Sequence, residues 1–427
     1  VHFECSDEGS GIAFCSPDSV LTEEGRNQSA TGTAIDNAGN SANTTVSGIN
    51  IDKTPPTTTH SLVPPAPNGK RGWYISDVTV TLNPSDPLLT SGEAGSGIQY
   101  TNYRVNGVNG DGWQTYTGPF VVSNESLDNK VEYYSVDNAD NVEATHEFHF
   151  KLDKTPPDIS ISSGETDDVV WDQAHLQHGI LSNDATLTLA GNATDNLCLW
   201  EVRTVDVDSG LTTASQQPPN ANVYPPPPPT SLGYSLSVTL HTGINTIDVT
   251  AEDCAGWEKA IRIQVVYVIP GPFDPRSKGF WYNAIKTGHY STSQMQTFVN
   301  YTNVASDVWG TDASRNRYGA LTVSRVRDLL NASDTNPDME LKMEAQLLAD
   351  WLNMVSGRLA VKRAVNVSPV SGWPTVMDDI GGNPLTFAYK VALEIEEKVQ
   401  PAKASAAINT VAKNLAEGIN VRTIIVP

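Results

Sequence analysis

The sequence SVDNADNVEATHEFHFKLDKTPP, residues 135–157, decides how this chain folds. It contains a run with strand character, a polar turn at Asp137–Asn141, a second such run, and a pair of prolines. The sequence GTAIDNAGNSANTTVSGINIDKTPP, residues 32–56, repeats this pattern, and Asp36 aligns with Asp137 at an offset of 101 residues. A fixed offset of this size predicts tandem β-sandwich modules of roughly a hundred residues.

The composition limits the classes of function. The chain has 427 residues and a net charge of −22, although only 18% of its residues are charged. This acid excess argues against binding to nucleic acid or to anionic membranes, because a phosphate surface requires a basic partner. No apolar run reaches the 18 residues of a membrane-spanning helix. The strand pattern begins at Val1, so we expect that the sequence starts inside a longer or matured chain.

The sequence predicts a multidomain protein: all-β sandwiches in tandem, followed by an all-α C-terminal domain. Residues 1–54 are expected to form an incomplete sandwich that lacks at least one N-terminal strand. Residues 55–155 are expected to form a complete sandwich, because short alternating runs are separated by turn residues. Residues 156–270 are expected to form a third sandwich, with a proline-rich insertion that favours polyproline II. Residues 271–427 change to helical periodicity.

Start and stop signals predict about five helices in the C-terminal domain. Ser291-Thr-Ser-Gln294 is a capping box. Asn336-Pro337 and Asn383-Pro384 each place a cap and a proline before an apolar helical pattern. The last helix is expected over about 402–417, ending at Gly418.

The four cysteines form two local pairs. Cys5 and Cys15 flank a polar loop, whereas Cys198 begins a strand and Cys254 lies in the third copy of the turn. An even count paired within modules predicts two disulfides and an oxidising compartment. A zinc site would require clustered CxxC pairs or added histidines, which the sequence lacks.

The repeated turn has a structural and a functional interpretation. Asp and Asn tolerate left-handed backbone angles and hydrogen-bond their own main chain, so the turn is typical of a pinned hairpin. The functional alternative is a calcium site at the module junctions, because calcium binds clustered oxygens. That site would use Asp36 or Asp137 from the turns and Asp52 or Asp153 from the DKTPP segments. Calcium is the one cofactor that the sequence leaves open.

The double prolines and the repeats point to a family. The segments GTAIDNAGN…INIDKTPP and SGIQYTNYRVNG…GWQTYTGPFVV…VEYYSVDNADNVE…LDKTPP resemble bacterial and archaeal immunoglobulin-like repeats of secreted and cell-surface proteins. The resemblance covers about residues 1–270, implies immunoglobulin-like sandwiches, and carries over no catalytic residue. Gly279-Phe-Trp-Tyr-Asn283, with LLADWLN at 347–353, is similar to a helical C-terminal domain of some exported microbial proteins.

Few residues are candidates for metal binding, catalysis or sugar binding. His146 and His149 are three apart in a strand and so point to opposite faces. His175 and His178 have no neighbouring cysteine. No hydrolase, metalloprotease or phosphate-binding motif is present, so we predict that the chain is not an enzyme. Aromatic residues that could stack on sugars, or else lie in the core, are Trp73, Tyr74, Trp113, Tyr116, Trp281 and Tyr282.

Seven sequons offer possible glycosylation sites if the host glycosylates. About six are expected by chance from the content of Asn, Ser and Thr, so their number carries no weight. They are Asn27, Asn43, Asn124, Asn192, Asn300, Asn331 and Asn366.

The sequence therefore predicts an extracellular structural or adhesive cell-surface protein, built as a rigid stalk or a filament-forming subunit. Its expected partners are other copies of itself or surface proteins and glycans. A filament could form if the tail, with Val421, Ile424 and Val426, completed the first module of the next copy. The alternative function is a non-catalytic spacer or carbohydrate-binding region of a large secreted hydrolase.

Overall fold

The computed structural model describes residues 1–106, 112–166, 169–172, 179–219, 229–306, 308–310, 318–331, 336–361, 363–377, 384–399, 405–422 and 424–426. The first four prolines of the proline run in the third sandwich, His175, His178 and Asp378-Asp379 lie outside these ranges. The chain forms two compact units. The first contains Val1–Lys154 and Cys254–Gly256, and the second contains Thr155–Asp253 and Trp257–Pro427.

The first module is a three-stranded antiparallel sheet. Its order is β1 (Ile12–Cys15), β2 (Gly25–Asp36), β3 (Ser41–Ile51). The ring of Phe3 packs directly on Gly32, where a Cβ atom would approach the ring to 2.4 Å. In the described part of the chain this module has no second sheet, and the expectation that it is incomplete stays a prediction.

The second module has two sheets. One orders β4 (Thr57–Val63), β6 (Val78–Ser85) and β9 (Phe120–Val122) as β4-β6-β9. The other has the order β5-β11-β10-β7-β8, formed by β5 (Trp73–Tyr74), β7 (Ile98–Val105), β8 (Gln114–Thr115), β10 (Ser126–Asp137) and β11 (His146–Leu152). The predicted alternation in β6 is present, because Val78, Val80 and Leu82 are buried between the sheets.

The third module is also a two-sheet sandwich. Its first sheet has the order β13-β12-β15-β18, formed by β12 (Asp158–Thr166), β13 (Val169–Asp172), β15 (Thr186–Thr194) and β18 (Ser231–Thr239). Its second sheet has the order β14-β20-β19-β16-β17, formed by β14 (Ile180–Ser182), β16 (Leu199–Asp206), β17 (Leu211–Gln216), β19 (Gly243–Asp253) and β20 (Glu258–Tyr267).

Six α-helices follow the third module within the described residues. They are α1 (Lys278–Thr287), α2 (Thr292–Ala305), α3 (Val323–Leu330), α4 (Met339–Val355), α5 (Ala388–Val399) and α6 (Ala406–Asn420). The region is not purely helical, because β21 (Ala364–Asn366) pairs with β22 (Leu385–Phe387). The prediction of an all-α domain is therefore wrong in this detail: short apolar runs of three residues do not reveal a strand in the sequence.

The helix boundaries follow the caps. Ser291 forms the predicted capping box with Gln294. The helix predicted after Asn336-Pro337 begins later, because Asp338 accepts the first helical N–H groups through its side chain. A helix does not begin at Pro384, since the short strand β22 comes first. The last helix continues through Gly418 to Asn420.

The third sandwich and the helices share one hydrophobic core. Leu187, Leu189 and Val249 of the sandwich belong to the same buried cluster as Trp281 and Trp351 of the helices. The sequence separates residues 156–270 from 271–427 as two domains, whereas the packing joins them into one body. The boundary is visible in the sequence as a change of periodicity, but a change of periodicity does not reveal whether two elements bury their apolar faces on each other.

No helix in the described residues is long and apolar enough to cross a membrane.

Candidate calcium site at the junction of the first two modules

Two hairpin turns 101 residues apart have the same local structure. Oδ1 of Asp36 accepts hydrogen bonds from the N–H groups two and four residues on, at 2.9 and 2.8 Å. Its Oδ2 accepts from the side-chain amide of Asn40 at 2.8 Å. Asp137 accepts the equivalent three bonds, with the amide of Asn141 on Oδ2, all at 2.8 Å. The repeat identified in the sequence is therefore a repeat in structure at this turn.

The third copy of the turn keeps part of this pattern. Oδ1 of Asp253 accepts from the N–H of Trp257 at 2.9 Å. The fourth residue of each turn has a left-handed backbone, with φ of +89° at Gly39, +66° at Asp140 and +97° at Gly256. Glycine and aspartate are among the residues that tolerate this conformation, which explains their presence at this position.

A second repeated contact escaped the sequence analysis. The side chain of Glu24 accepts the backbone N–H of Lys53 at 2.8 Å, and Glu125 accepts the backbone N–H of Lys154 at 2.7 Å. The glutamates and the lysines are each separated by the same 101 residues as the turns. The signal was present in the sequence, since both glutamates fall at matching positions of the repeat.

Glu24 joins the first module to the second. Its Oε1 also accepts from the hydroxyl of Thr54 at 2.7 Å, and its Oε2 accepts from the N–H of Thr90 at 3.1 Å. The Thr54 hydroxyl, followed by the Thr90 and Lys53 N–H groups, lowers the pKa of Glu24 from 4.5 to about 2. The carboxylate therefore stays charged at the junction over the whole physiological range.

Three carboxylates converge beside this junction. Asp52, Asp86 and Asp137 each offer one oxygen, and these oxygens lie within 4.8 Å of one another. Asp52 also accepts the N–H of Ser96, and Asp86 accepts the N–H of Gly97, both at 2.6 Å. These bonds fix two of the carboxylates on consecutive N–H groups of one loop, while Asp137 is fully buried at the end of β10.

Two buried oxygens at this junction have no hydrogen-bond partner among the described residues. One is Oδ1 of Asp86, and the other is Oγ of Ser96, whose N–H donates to Asp52. The loop fits tightly here, because a Cβ atom on Gly95 would lie 2.5 Å from the Asp86 carboxylate. A hard divalent cation would neutralise the three carboxylates and use the unpartnered oxygens, and oxygen-only donors are those that calcium takes. The residues present therefore fit calcium in charge and donor type.

The predicted calcium residues have different positions. Asp52 and Asp137 come together, with Asp86 as an additional residue that was not predicted, and calcium binding itself stays a prediction. Asp36 is not part of this cluster, and its carboxylate is hydrogen-bonded within its own turn. Asp153 is fully buried in the first unit, where its N–H donates to the carbonyl of Tyr74. Asp86 follows β6 and lies outside both repeated segments, so no repeated pattern marked it.

The cysteines are oxidised. Cys5 and Cys15 form a disulfide with Cα atoms 5.9 Å apart. Cys198 and Cys254 are also disulfide-bonded, and no cysteine of the chain is free. Within the second unit, the register of β16 and β19 places Leu199 opposite Asp253, next to these cysteines in the sequence.

Most aromatic candidates for sugar stacking are not available. Trp73, Tyr74 and Trp281 are buried. Tyr116 is partly buried, and its hydroxyl accepts the N–H of Leu82 at 3.1 Å. Tyr282 is partly buried against the core of the second unit.

Trp113 is partly buried on the outer side of the second module. Its ring meets Tyr134 edge-on and lies 4.7 Å from the guanidinium of Arg104. These contacts account for the aromatic side chain without a ligand.

The described histidine pair does not form a joint site. His146 pairs with Glu143 at 3.2 Å, while His149 pairs with Asp128 at 2.7 Å. Their different partners agree with the prediction that the two side chains point to opposite faces of β11.

The C-terminal tail is engaged within its own chain. The N–H of Asn366 donates to the carbonyl of Ile424 at 2.7 Å, and the N–H of Val426 donates to Ala364 at 3.0 Å. Ile424 is buried, whereas Val421 caps α6 and is about half exposed. The proposed donor strand is therefore not free in this structure, because it extends the small sheet at β21.

The sequons lie on several elements. Six of the asparagines are exposed, and Asn366 of β21 is half-buried. Exposure is a requirement for glycosylation but does not show that it occurs, so these sites stay predictions. The exposed asparagines are Asn27, Asn43, Asn124, Asn192, Asn300 and Asn331.

The chain matches no family of known proteins, and no curated protein matches it. Its structural neighbours are bacterial immunoglobulin-like and fibronectin-III-like modules. The fibronectin(III)-like modules of Clostridium thermocellum CbhA are 10% identical over 49% of this chain and 94% of theirs, with a TM-score of 0.23. A tetra-tandem repeat from the extending region of a large adhesion protein is 19% identical. The match covers 56% of this chain and 55% of that chain, with a TM-score of 0.23. A 1.5-MDa bacterial ice-binding adhesin is 16% identical. The match covers 56% of this chain and 74% of that chain, with a TM-score of 0.22. Similarities at this level support no argument about function.

Proposed function

We propose that this protein is an extracellular structural or adhesive protein whose first two modules are held at a fixed angle. The observation that carries the proposal is the Glu24 contact at the junction, which bonds the DKTPP segment and the second module at once. A double proline follows at Pro55-Pro56 and restricts the backbone further. Fixed geometry between modules is what a spacer requires, whereas a flexible linker would let them rotate.

Further contacts of the first two modules support the fixed angle. The backbone N–H of Arg26 donates to the Glu93 carboxylate at 2.7 Å, and its Nε donates to the carbonyl of Ala94 at 2.8 Å. From the hairpin turn of the second module, the amide of Asn141 donates to the carbonyl of Asp52 at 3.3 Å. The junction is thus bonded from two sides, which restricts both bending and twisting.

The extracellular location is part of the proposal. Disulfides form and persist in oxidising compartments, and every cysteine of this chain is oxidised. The partners in this proposal are surface proteins, glycans or further copies of the chain, as the sequence suggests.

We also propose that calcium binds the Asp52–Asp86–Asp137 cluster and stiffens the junction. Asp52 belongs to the connection between the modules, and the other two carboxylates belong to the second module. A cation held by all three would therefore fix the connection to the body of the second module, in addition to the hydrogen bonds already present.

The experiment that tests the fixed angle is a distance distribution between spin labels. Labels at Thr45→Cys in β3 and Ser123→Cys after β9 report on the two modules, and both positions are exposed. We expect one narrow distribution for the full chain, and a broader one for Glu24→Ala. The matched control is Glu23→Ala, because Glu23 is exposed and, among the described residues, its side chain hydrogen-bonds to its neighbour Thr22. A broad distribution in the unsubstituted chain would refute the proposal.

A further inference from the structure

The net charge is divided unevenly along the chain. Residues 1–270 contain 34 Asp and Glu against 11 Lys and Arg, a net charge of −23. Residues 271–427 contain 15 Asp and Glu against 16 Lys and Arg, a net charge of +1. The helical region is therefore the part of the chain in which positive charge can be concentrated, and four of its arginines do come together.

These four residues, Arg276, Arg358, Arg363 and Arg422, are called the arginine cluster here. Three of them share the single carboxylate of Asp274. Its Oδ2 accepts from Nε of Arg276 at 2.8 Å and from Arg358 at 2.7 Å, and its Oδ1 accepts from Arg422 at 2.9 Å. One carboxylate cannot neutralise three guanidinium groups, so positive charge is in excess around Asp274.

The aromatic ring of Phe273 joins the fourth arginine to the cluster. The guanidinium carbon of Arg363 lies 4.3 Å from the ring centroid, and that of Arg422 lies 5.3 Å from it. Phe273 itself is 39% exposed, so this part of the cluster faces solvent.

The guanidiniums are held in place before any partner arrives. Nε and one terminal nitrogen of Arg358 donate to the hydroxyl of Tyr290 at 2.8 and 2.6 Å, and Arg363 donates to the carbonyl of Val426 at 2.7 Å. The side-chain entropy that ion pairs normally cost is therefore largely lost already in the folded chain.

Some N–H groups of the arginine cluster are exposed and available as hydrogen-bond donors. The side chains of Arg276 and Arg422 are 43% and 48% exposed. Each guanidinium has five N–H donors, and those that face solvent can take further carboxylates.

A complementary negative charge lies on the first module. Residues 1–23 contain five carboxylates and no lysine or arginine. All five side chains belong to exposed residues, and the Cys5–Cys15 disulfide closes the loop that carries two of them. This acidic segment comprises Glu4, Asp7, Glu8, Asp18 and Glu23.

We propose that the arginine cluster is a docking surface for the acidic segment of a second copy of this chain. The contact is heterologous, because it joins two different surfaces, and a heterologous contact repeats head to tail. Its chemistry is that of guanidinium–carboxylate pairs at an exposed surface, which are weak singly and add up in a group. This inference goes beyond the proposed spacer role and does not depend on it.

The test is sedimentation velocity of the full chain at increasing concentration. We expect association in about 0.05 M salt and none in about 0.5 M, because the higher salt shortens the range of the attraction to a few ångströms. Arg276→Glu with Arg422→Glu, or Glu4→Lys with Glu8→Lys, should each weaken self-association about tenfold or more. The chain with all four reversals should associate again, since the charges are then exchanged between the two surfaces.

The matched control is Arg327→Glu on α3, an arginine of similar exposure whose ion pair within the described residues is with Asp328. It should leave association unchanged. Thermal unfolding checks that each variant is folded. If a charge reversal does not fold, Arg422→Gln replaces it on the arginine cluster and Glu8→Gln replaces it on the acidic segment. A monomer at all concentrations in low salt would overturn the proposal. Three other results would also overturn it: association that does not change with salt concentration, failure of the four-reversal chain to associate, and binding of an acidic glycan without self-association.

Discussion

Asp52 in the connection after the first module and Asp137 in the hairpin turn of the second module bring carboxylate oxygens within 4.8 Å of each other. The turn also reaches the connection directly, because Asn141 donates to the carbonyl of Asp52 at 3.3 Å. The linker after one copy of the repeat thus meets the turn of the next copy.

Calcium should stabilise the first unit through this pair and Asp86. A calcium concentration about a hundred times Kd would add about 2.7 kcal/mol to the free energy of unfolding. Asp86→Asn should abolish the effect, because it removes the carboxylate charge and an unpartnered oxygen. Calorimetry with and without a chelator measures this. Asp128→Asn, an exposed carboxylate of the same module, is the control. An unfolding temperature that is the same with calcium and with a chelator would exclude the site.

The stability of the junction should depend on pH through the ionisation of Glu24. Its folded-state pKa of about 2 lies below the ordinary value of 4.5, so its contribution is complete above pH 4.5 and disappears as the pH falls toward 2. Glu24→Gln should remove this part of the pH dependence, as measured by spin-label distances between pH 5 and pH 2. Glu23→Gln should leave the profile of the native chain unchanged. An identical pH profile for Glu24→Gln and the native chain would contradict the prediction.

The second unit should have the opposite pH dependence at Asp350. This residue of α4 is fully buried, and neither of its carboxylate oxygens has a partner among the described residues. Burial raises the pKa of Asp350 well above its ordinary value of 3.8. The folded state therefore favours the protonated acid, and stability decreases as the pH rises above that value.

Asp350→Asn should thus raise the unfolding temperature more at pH 8 than at pH 4, as measured by circular dichroism. Asp328→Asn, which alters an exposed carboxylate on α3, should change neither value appreciably. Equal shifts at the two pH values would show that Asp350 does not titrate between them.

The docked tail should stabilise the second unit. Ile424→Ala removes a buried side chain and should cost about 2–5 kcal/mol of unfolding free energy, measured by urea denaturation. Val421→Ala alters an exposed residue of the same tail and should cost less than about 0.5 kcal/mol. A negligible effect of Ile424→Ala would mean that the tail is free in solution, which would restore the donor-strand hypothesis.

Reduction of the Cys5–Cys15 disulfide should destabilise the first module. Opening a loop of this short length costs about 2–4 kcal/mol. The substitution Cys5→Ser with Cys15→Ser should therefore lower the unfolding temperature of the first unit, as measured by calorimetry. An unchanged temperature would indicate that Phe3 and its neighbours hold the loop without the bond.

Local patterns in the sequence determined the repeated elements of this protein. The turns at Asp36 and Asp137 follow from residues within five positions of each other, and so do the capping box at Ser291 and the alternation of β6. Such features depend on hydrogen bonds and periodicities that a short segment supplies by itself. The Glu24 and Glu125 contacts could have been found in the same way, from the offset of 101 residues.

Tertiary structure alone decided what meets across long separations. Asp86 joins Asp52 and Asp137 because the strands of the second module carry its loop to the junction, and nothing near Asp86 in the sequence indicates this. The tail pairs with β21, and the third sandwich shares its core with the helices, because apolar burial is non-directional and acts between whichever surfaces the chain brings together. The sequence by itself determined the modules and their turns, whereas packing over long separations decided the candidate site, the position of the tail and the grouping of the arginines.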